Sequence, residues 1–237
     1  MTGILQICQE VADITATQRP DDLFDKNIHH NAVFLSVAKN ELDSLMRYGD
    51  WQALYREGKF KTIKGKSFYL FDEIAPDFYA LTHNAIYLKD ETEKMIGSLN
   101  AEDWMKKKYV RCSCDSDVAF RVENNGFRFL SDVRDNMTVV FMYRSNGVCV
   151  DAKTFEEKPF ITKNSDIPIF DQYIVKLGII WRWLKRNGMD YEEEYNEYQR
   201  QLKKKFGLEL DVKDICLANR KIDFSHYCGV IEHVNRE

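Results

Sequence analysis

The stretch Leu177-Gly178-Ile179-Ile180-Trp181-Arg182-Trp183-Leu184-Lys185-Arg186-Asn187-Gly188-Met189-Asp190-Tyr191-Glu192-Glu193-Glu194-Tyr195 holds the end of one helix, a stop, and the start of another. Phe170, Ile174, Leu177, Trp181 and Leu184 recur at steps of 4, 3, 4 and 3 residues, which is the period of one apolar helix face. Pro168 precedes them where a first turn tolerates a residue without an amide hydrogen, and Asn187-Gly188 supplies the stop. Asp190 with Glu193 three residues on is the polar signature of a new start. Tyr191, Tyr195, Tyr198, Leu202 and Phe206 then mark a second face, so the spacing predicts a helical hairpin over 168–206. Glu192 to Glu194 at its start and Lys203 to Lys205 near its end complement the helix dipole.

Two further helices are expected at the other end of the chain. Ile4, Cys8, Val11 and Ala12 define one over Ile4 to Ile14 behind Thr2 as cap, and Phe34, Ala38, Leu42 and Leu45 define one over Asn31 to Tyr48, stopped by Gly49. From Trp51 the period falls to two. Phe60, Thr62, Phe68 and Leu70 read as two strands around the turn Lys64-Gly65-Lys66, and Asn124-Asn125-Gly126 between two apolar runs reads as a tight hairpin. Met137 to Tyr143 reads as a strand, then a Ser145-Asn146-Gly147 turn leads into Val148-Cys149-Val150, and Ala101 to Lys108 reads as a short helix. The class is therefore α+β, with an antiparallel middle. Beyond Gly207 the periodicity is lost, although Leu208, Leu210, Ile215, Leu217, Phe224 and Tyr227 keep the tail apolar enough to dock on something.

Composition narrows the function classes. In 237 residues, 44% are hydrophobic and 30% charged, values that exclude disorder or a collagen-like chain as the global class. No apolar run approaches the ~18 to 20 residues of a bilayer crossing. The net charge of −4 leaves no basic excess for wrapping nucleic acid. Met1 to Gln6 shows no secretory signal, so synthesis ending in the cytoplasm is expected. In that compartment the six cysteines (Cys8, Cys112, Cys114, Cys149, Cys216, Cys228) read mainly as free thiols.

No phosphate-cradling glycine loop, nucleophile elbow or HExxH motif is present, and no catalytic, metal or cofactor residue is nominated. Cys112-x-Cys114 lacks zinc-knuckle spacing and a second pair. His29-His30 reads better as part of a helix than as a ligand pair. The acidic clusters Glu192 to Glu194 and Asp211 to Asp214 do not by themselves make the opposed carboxylates of a glycosidase. Trp181, Trp183, Tyr191, Tyr195 and Tyr198 could stack bases, but helical spacing without basic interleaving favours a core or a subunit interface.

The segment Leu177 to Tyr195 resembles the C-terminal signature of phage head-to-tail adaptor proteins. Ile4 to Ala12, Ala38-Lys39-Asn40-Glu41 and Tyr48-Gly49-Asp50-Trp51-Gln52-Ala53-Leu54 resemble the N-terminal helices of the same group, and the likeness runs in order over roughly residues 1–206. The resemblance implies a helical domain from 1–50 plus 168–206, its N- and C-terminal helices forming a bundle, a β-rich insertion over 51–167, and an extended C-terminal arm over 207–237. It implies a non-enzymatic structural protein of the virion, without cofactor, placed at the head-tail junction after assembly in the host cytoplasm. Copies would form a ring, typically a dodecamer, that binds the portal, extends the DNA channel, seals the packaged head and carries a tail or nozzle protein. Genomic DNA would pass without sequence-specific binding, since like charge lets phosphates slide, and no membrane is involved.

On that basis Trp181, Trp183, Tyr191, Tyr195 and Tyr198 are candidate subunit-interface residues. Leu208, Leu210, Ile215, Leu217, Phe224 and Tyr227 are candidates for an arm that reaches the portal or a neighbour. Competing expectations are a virion-associated peptidoglycan hydrolase and another tail component, either a tail terminator or a nozzle subunit.

Overall fold

The computed structural model describes residues 2–25, 27–89, 95–110, 118–130 and 134–210. Helix α1 (Ile4–Ile14) buries Ile4, Ile7, Cys8, Val11 and Ala12 on one stripe. Its N-cap is Gly3 rather than Thr2, and no side chain caps it. The Ile4 and Leu5 amides donate instead to the carbonyls of Asp166 (2.9 Å) and Asn164 (3.2 Å), so a distant loop satisfies the helix start. Helix α2 (His29–Tyr48) begins two residues earlier than its apolar spacing suggests and buries Phe34, Ala38, Leu42 and Leu45 as expected. Gly49 ends it in extended geometry, and a Cβ there would lie 2.2 Å from the Phe206 ring.

Three sheets follow. The first has the order β1-β7-β3, formed by Tyr55–Lys61 (β1), Phe78–Leu88 (β3) and Thr138–Ser145 (β7). The second has the order β2-β6-β5-β4, from Phe68–Leu70 (β2), Met95–Ile96 (β4), Val118–Glu123 (β5) and Gly126–Phe129 (β6). All pairs in these two sheets are antiparallel except β4 with β5. Two short helices, α3 (Phe71–Ile74) and α4 (Ala101–Tyr109), lie among the strands, and the Asn100 side chain caps α4 through the Asp103 amide.

The two strands on either side of Gly65 are present as β1 and β2. They flank a turn but pair with β7 and β6 respectively, not with each other; alternation identifies a strand without naming its partner. Two other expectations need correction. In the β5–β6 hairpin the two turn residues are Asn124 (φ 47°) and Asn125 (φ 57°), and Gly126 already pairs with Glu123. Pro168 is not in a helix: it pairs with Cys149 on the edge strand β10 (Ile167–Pro168), where a missing amide is tolerated. That third sheet has the order β10-β8-β9, completed by Cys149–Val150 (β8) and Glu157–Lys158 (β9).

Helix α5 (Gln172–Arg186) starts at Asp171, whose side chain accepts from the Tyr173 and Ile174 amides, and ends at Asn187 before Gly188 at φ 68°. Helix α6 (Glu192–Leu210) opens with Asp190 Oδ1 accepting from the Glu192 amide. It continues past Gly207, so Lys203 to Lys205 lie inside it rather than in its last turn. Lys205 instead reaches Asp171 Oδ2 at 3.6 Å.

The protein is thus mixed α+β, with six α-helices among the described residues and largely antiparallel sheets. Two hydrophobic clusters form its interior. One joins Ile4, Cys8, Phe34, Leu45, Ile179 and Leu202 from α1, α2, α5 and α6, and takes in Trp51, Cys149 and Ile161. The other joins Phe60, Phe120, Phe127, Val139 and Phe141 between the first two sheets. Arg144 bridges toward the helices, donating to the Gly49 carbonyl (2.6 Å) and to Asp50 Oδ1 (2.5 Å).

Candidate interaction surface

The α5–α6 hairpin divides the five aromatic candidates between interior and surface. Trp183 is buried against Phe34, with ring centroids 4.0 Å apart and planes 8° apart, and His30 meets it edge-on at 5.2 Å. Tyr198 is buried as well. Neither ring is offered to a partner by the folded chain. Tyr195 is 38% exposed and Tyr191 half-buried, and both lie against Trp181, at 5.0 and 6.3 Å between centroids. Trp181, itself buried, forms the floor of a shallow cleft lined also by Lys185, Tyr191, Glu192, Tyr195 and Asn196. A second depression, which also shares Trp181 and Lys185, reaches Val37, Asn40 and Arg186.

Cations crowd this aromatic floor. The Arg182 guanidinium lies 4.4 Å from the Trp181 centroid, and Lys185 Nζ lies 5.8 Å from Trp181 and 5.5 Å from Tyr191, within the range of cation–π attraction. Arg182 is committed inward, since its Nε donates to Glu41 Oε2 at 2.7 Å. Lys185 and Arg186 form no ion pair among the described residues, and their charge faces outward.

Beneath the cleft, Glu41 is wholly buried between α2 and α5. Three features admit it: Arg182, the Tyr198 hydroxyl at the same carboxylate, and Gly178, where a Cβ would lie 2.1 Å from the carboxyl. Oε1 still lacks a well-formed hydrogen bond. Burial pushes the Glu41 carboxyl above its ordinary value, and Arg182 and Tyr198 only partly offset it. Burial, reinforced by Glu41, raises the Tyr198 hydroxyl too, so it stays a donor. Sequence reading missed this group. The available signal was a charge seven residues after Phe34 and four before Leu45, inside an apolar stripe.

Of the arm candidates, Leu208 and Leu210 belong to the backbone of α6. Ile215, Leu217, Phe224 and Tyr227 lie outside the described residues, as do Asp211 to Asp214, Cys112, Cys114, Cys216 and Cys228. Cys8 and Cys149 are free and buried, their thiols pushed up to about 12 by burial. His29 and His30 are both in α2, and His30 Nε2 lies 2.5 Å from the Gln18 carbonyl. Among the described residues no three His, Cys, Asp or Glu side chains cluster as metal ligands, and no helix is long and apolar enough to cross a membrane. No protein-family model matches the chain, and no curated protein matches its sequence.

Proposed function

We propose that this protein is a non-enzymatic subunit of a phage head-to-tail adaptor ring. It binds the portal at the head-tail junction, extends the DNA channel, seals the packaged head and carries the tail or nozzle protein. Monomers made in the host cytoplasm assemble on the portal, typically as a dodecamer, and DNA slides through without sequence-specific contact. In this assignment the helices of 1–50 and 168–206 form a bundle, residues 51–167 are an insertion, and an arm beyond the bundle engages the portal or a neighbour.

One observation carries the assignment: the Leu177 to Tyr195 signature that resembles these adaptors also presents the Trp181–Tyr195 cleft, beside which Lys185 and Arg186 are exposed and form no ion pair among the described residues. Trp, Tyr and Arg are enriched at protein interfaces. A net charge of −4 suits a channel wall that does not grip phosphates.

The test mixes the purified chain with the portal ring of the same phage, then reads native mass and class-averaged electron micrographs. A complex with the portal's rotational symmetry is the expected result. A bare portal with monomeric chain overturns the assignment. In that case clearing of cell-wall turbidity by the chain would favour the peptidoglycan hydrolase, and binding to a preformed portal–adaptor complex would favour a terminator or nozzle subunit.

A further inference from the structure

The loop between β8 and β9 carries an exposed aromatic on a rigid support. Phe155 is 68% exposed and adopts φ 57°, a left-handed conformation that side-chain-bearing residues seldom take unless held there. It is held. The Phe155 amide donates to the Asp151 carbonyl and the Asp151 amide to the Glu156 carbonyl, both at 2.9 Å. The Asp151 side chain, itself buried, accepts from Lys158 Nζ (2.8 Å), Lys163 Nζ (2.7 Å) and the Lys153 amide (2.9 Å). Those bonds fix the loop before any partner arrives, so little conformational freedom remains to be lost on docking. At the adjoining position, the Glu156 carboxylate accepts from Thr154 Oγ1 at 3.2 Å and forms no ion pair among the described residues.

This pair complements the cleft described above: an apolar ring for the Trp181, Tyr191 and Tyr195 walls, and a carboxylate for Lys185, which forms no ion pair among the described residues although Glu192 also lines the cleft. Among the described residues the two features make no ring contact, hydrogen bond or ion pair with each other. The loop belongs to the small sheet whose strand β10 leads directly into α5. Lys185 lies 13 residues along that helix, about 20 Å at 1.5 Å per residue. A knob and a socket on different parts of the same surface make a head-to-tail contact, the kind that closes into a ring when its rotation permits.

We propose that Phe155 and Glu156 of one copy seat in the Trp181–Lys185–Tyr195 cleft of the next and form the contact that links copies around the ring. This rests on the ring assignment and supplies its interface. The test uses the full chain, with an equal mixture of ¹⁴N- and ¹⁵N-labelled protein cross-linked by a zero-length carbodiimide, alone and on the portal ring, and read by peptide mass spectrometry. Mixed-isotope Lys185–Glu156 cross-links are expected. Phe155→Ser and Lys185→Glu, both at surface positions and checked for unchanged thermal melting, should raise the concentration needed for self-association at least about tenfold. Glu156→Lys combined with Lys185→Glu should recover part of that loss.

The outcomes separate the inference from the assignment. Rings on the portal without the cross-link, and indifferent to both variants, overturn the inference and leave the adaptor role standing. Self-association with the cross-link but no portal binding supports the inference and removes the adaptor role. A chain that stays monomeric with and without the portal overturns both.

Discussion

Arg182 Nε donates to Glu41 Oε2 at 2.7 Å, and the carboxylate it meets is completely buried while the guanidinium keeps 22% of its side-chain surface in water. The pair joins α2 to α5 under the aromatic cleft. Because a buried carboxylate without its cation is far costlier than one with it, Arg182 fixes both the helix packing and the floor of that cleft.

Replacing Arg182 with Ala should therefore cost about 3 kcal/mol at pH 7. The cost depends on pH in a definite direction. Glu41 has a raised carboxyl in the fold, so its favourable contribution is complete below the unfolded value of about 4.3 and is lost as pH rises through the folded value. Removing Arg182 raises that value further. Urea unfolding should show the difference between wild type and variant shrinking steadily as pH falls from 7 toward 4; a constant difference would mean that Glu41 does not titrate in this range.

Gly178→Ala offers a sharper check. In a helix interior this change ordinarily stabilises by about 0.5 to 1 kcal/mol. At position 178 the new Cβ would lie 2.1 Å from the Glu41 carboxyl, so the expected effect is destabilisation by about 2 kcal/mol. In a Glu41→Ala background the same substitution should recover its ordinary stabilising sign. A double-mutant cycle measures this directly, and additive single effects would refute the close approach.

The helices were legible in the sequence because their signals are local. The 4-3-4-3 spacing from Phe170 to Leu184 and the stripe from Ile4 to Ala12 require no knowledge of partners, and both faces are largely buried as expected. The sheet pairings were not legible for the opposite reason. Phe60 and Phe68 alternate alike, yet one belongs to the strand opposite β7 and the other to the strand opposite β6, a choice made by the shared core rather than by the Gly65 turn. Pro168 misled because its one strong local preference, the absence of an amide, suits an edge strand as well as a helix start. The aromatic candidates were found as a set, but helical spacing alone could not assign Trp183 and Tyr198 to the interior and Tyr195 to the surface. Glu41 was passed over because a single charge on α2 discloses nothing of Gly178 and Arg182 waiting on α5.

Gly49→Ala should act at a distance along the chain. Its backbone is extended, so no conformational penalty attends the change, but the new Cβ would enter the Phe206 ring at 2.2 Å. That ring packs against Tyr48 and Trp51, with centroids 5.4 and 5.5 Å away. Displacing it should cost about 1 to 2 kcal/mol and loosen the last turns of α6 first. Hydrogen exchange should accelerate around 202–206 while amides of α1 remain protected; uniform acceleration would place the damage elsewhere.

Asp166 gives the opposite pH response to Glu41, and the contrast makes each separable. Its side chain is fully buried, and burial alone would raise its carboxyl. The balance is reversed by four donors: Lys158 Nζ at 2.8 Å, the Thr162 amide at 2.7 Å and hydroxyl at 3.1 Å, and the Lys163 amide at 2.9 Å. Its carboxyl is consequently held below the ordinary value. A lowered folded value means that the stabilisation is present above the unfolded value of about 3.9 and disappears as pH falls below it. Asp166→Asn turns one acceptor atom into a donor facing these donors, so it should cost about 2 to 3 kcal/mol at pH 7. In acid the wild type should lose this advantage, and the two stability curves should converge below pH 4. Convergence belongs also to the Arg182 comparison, but there it is the variant that gains as Glu41 becomes protonated, whereas here it is the wild type that falls. Measuring all three proteins across one pH series assigns each slope to its own carboxylate.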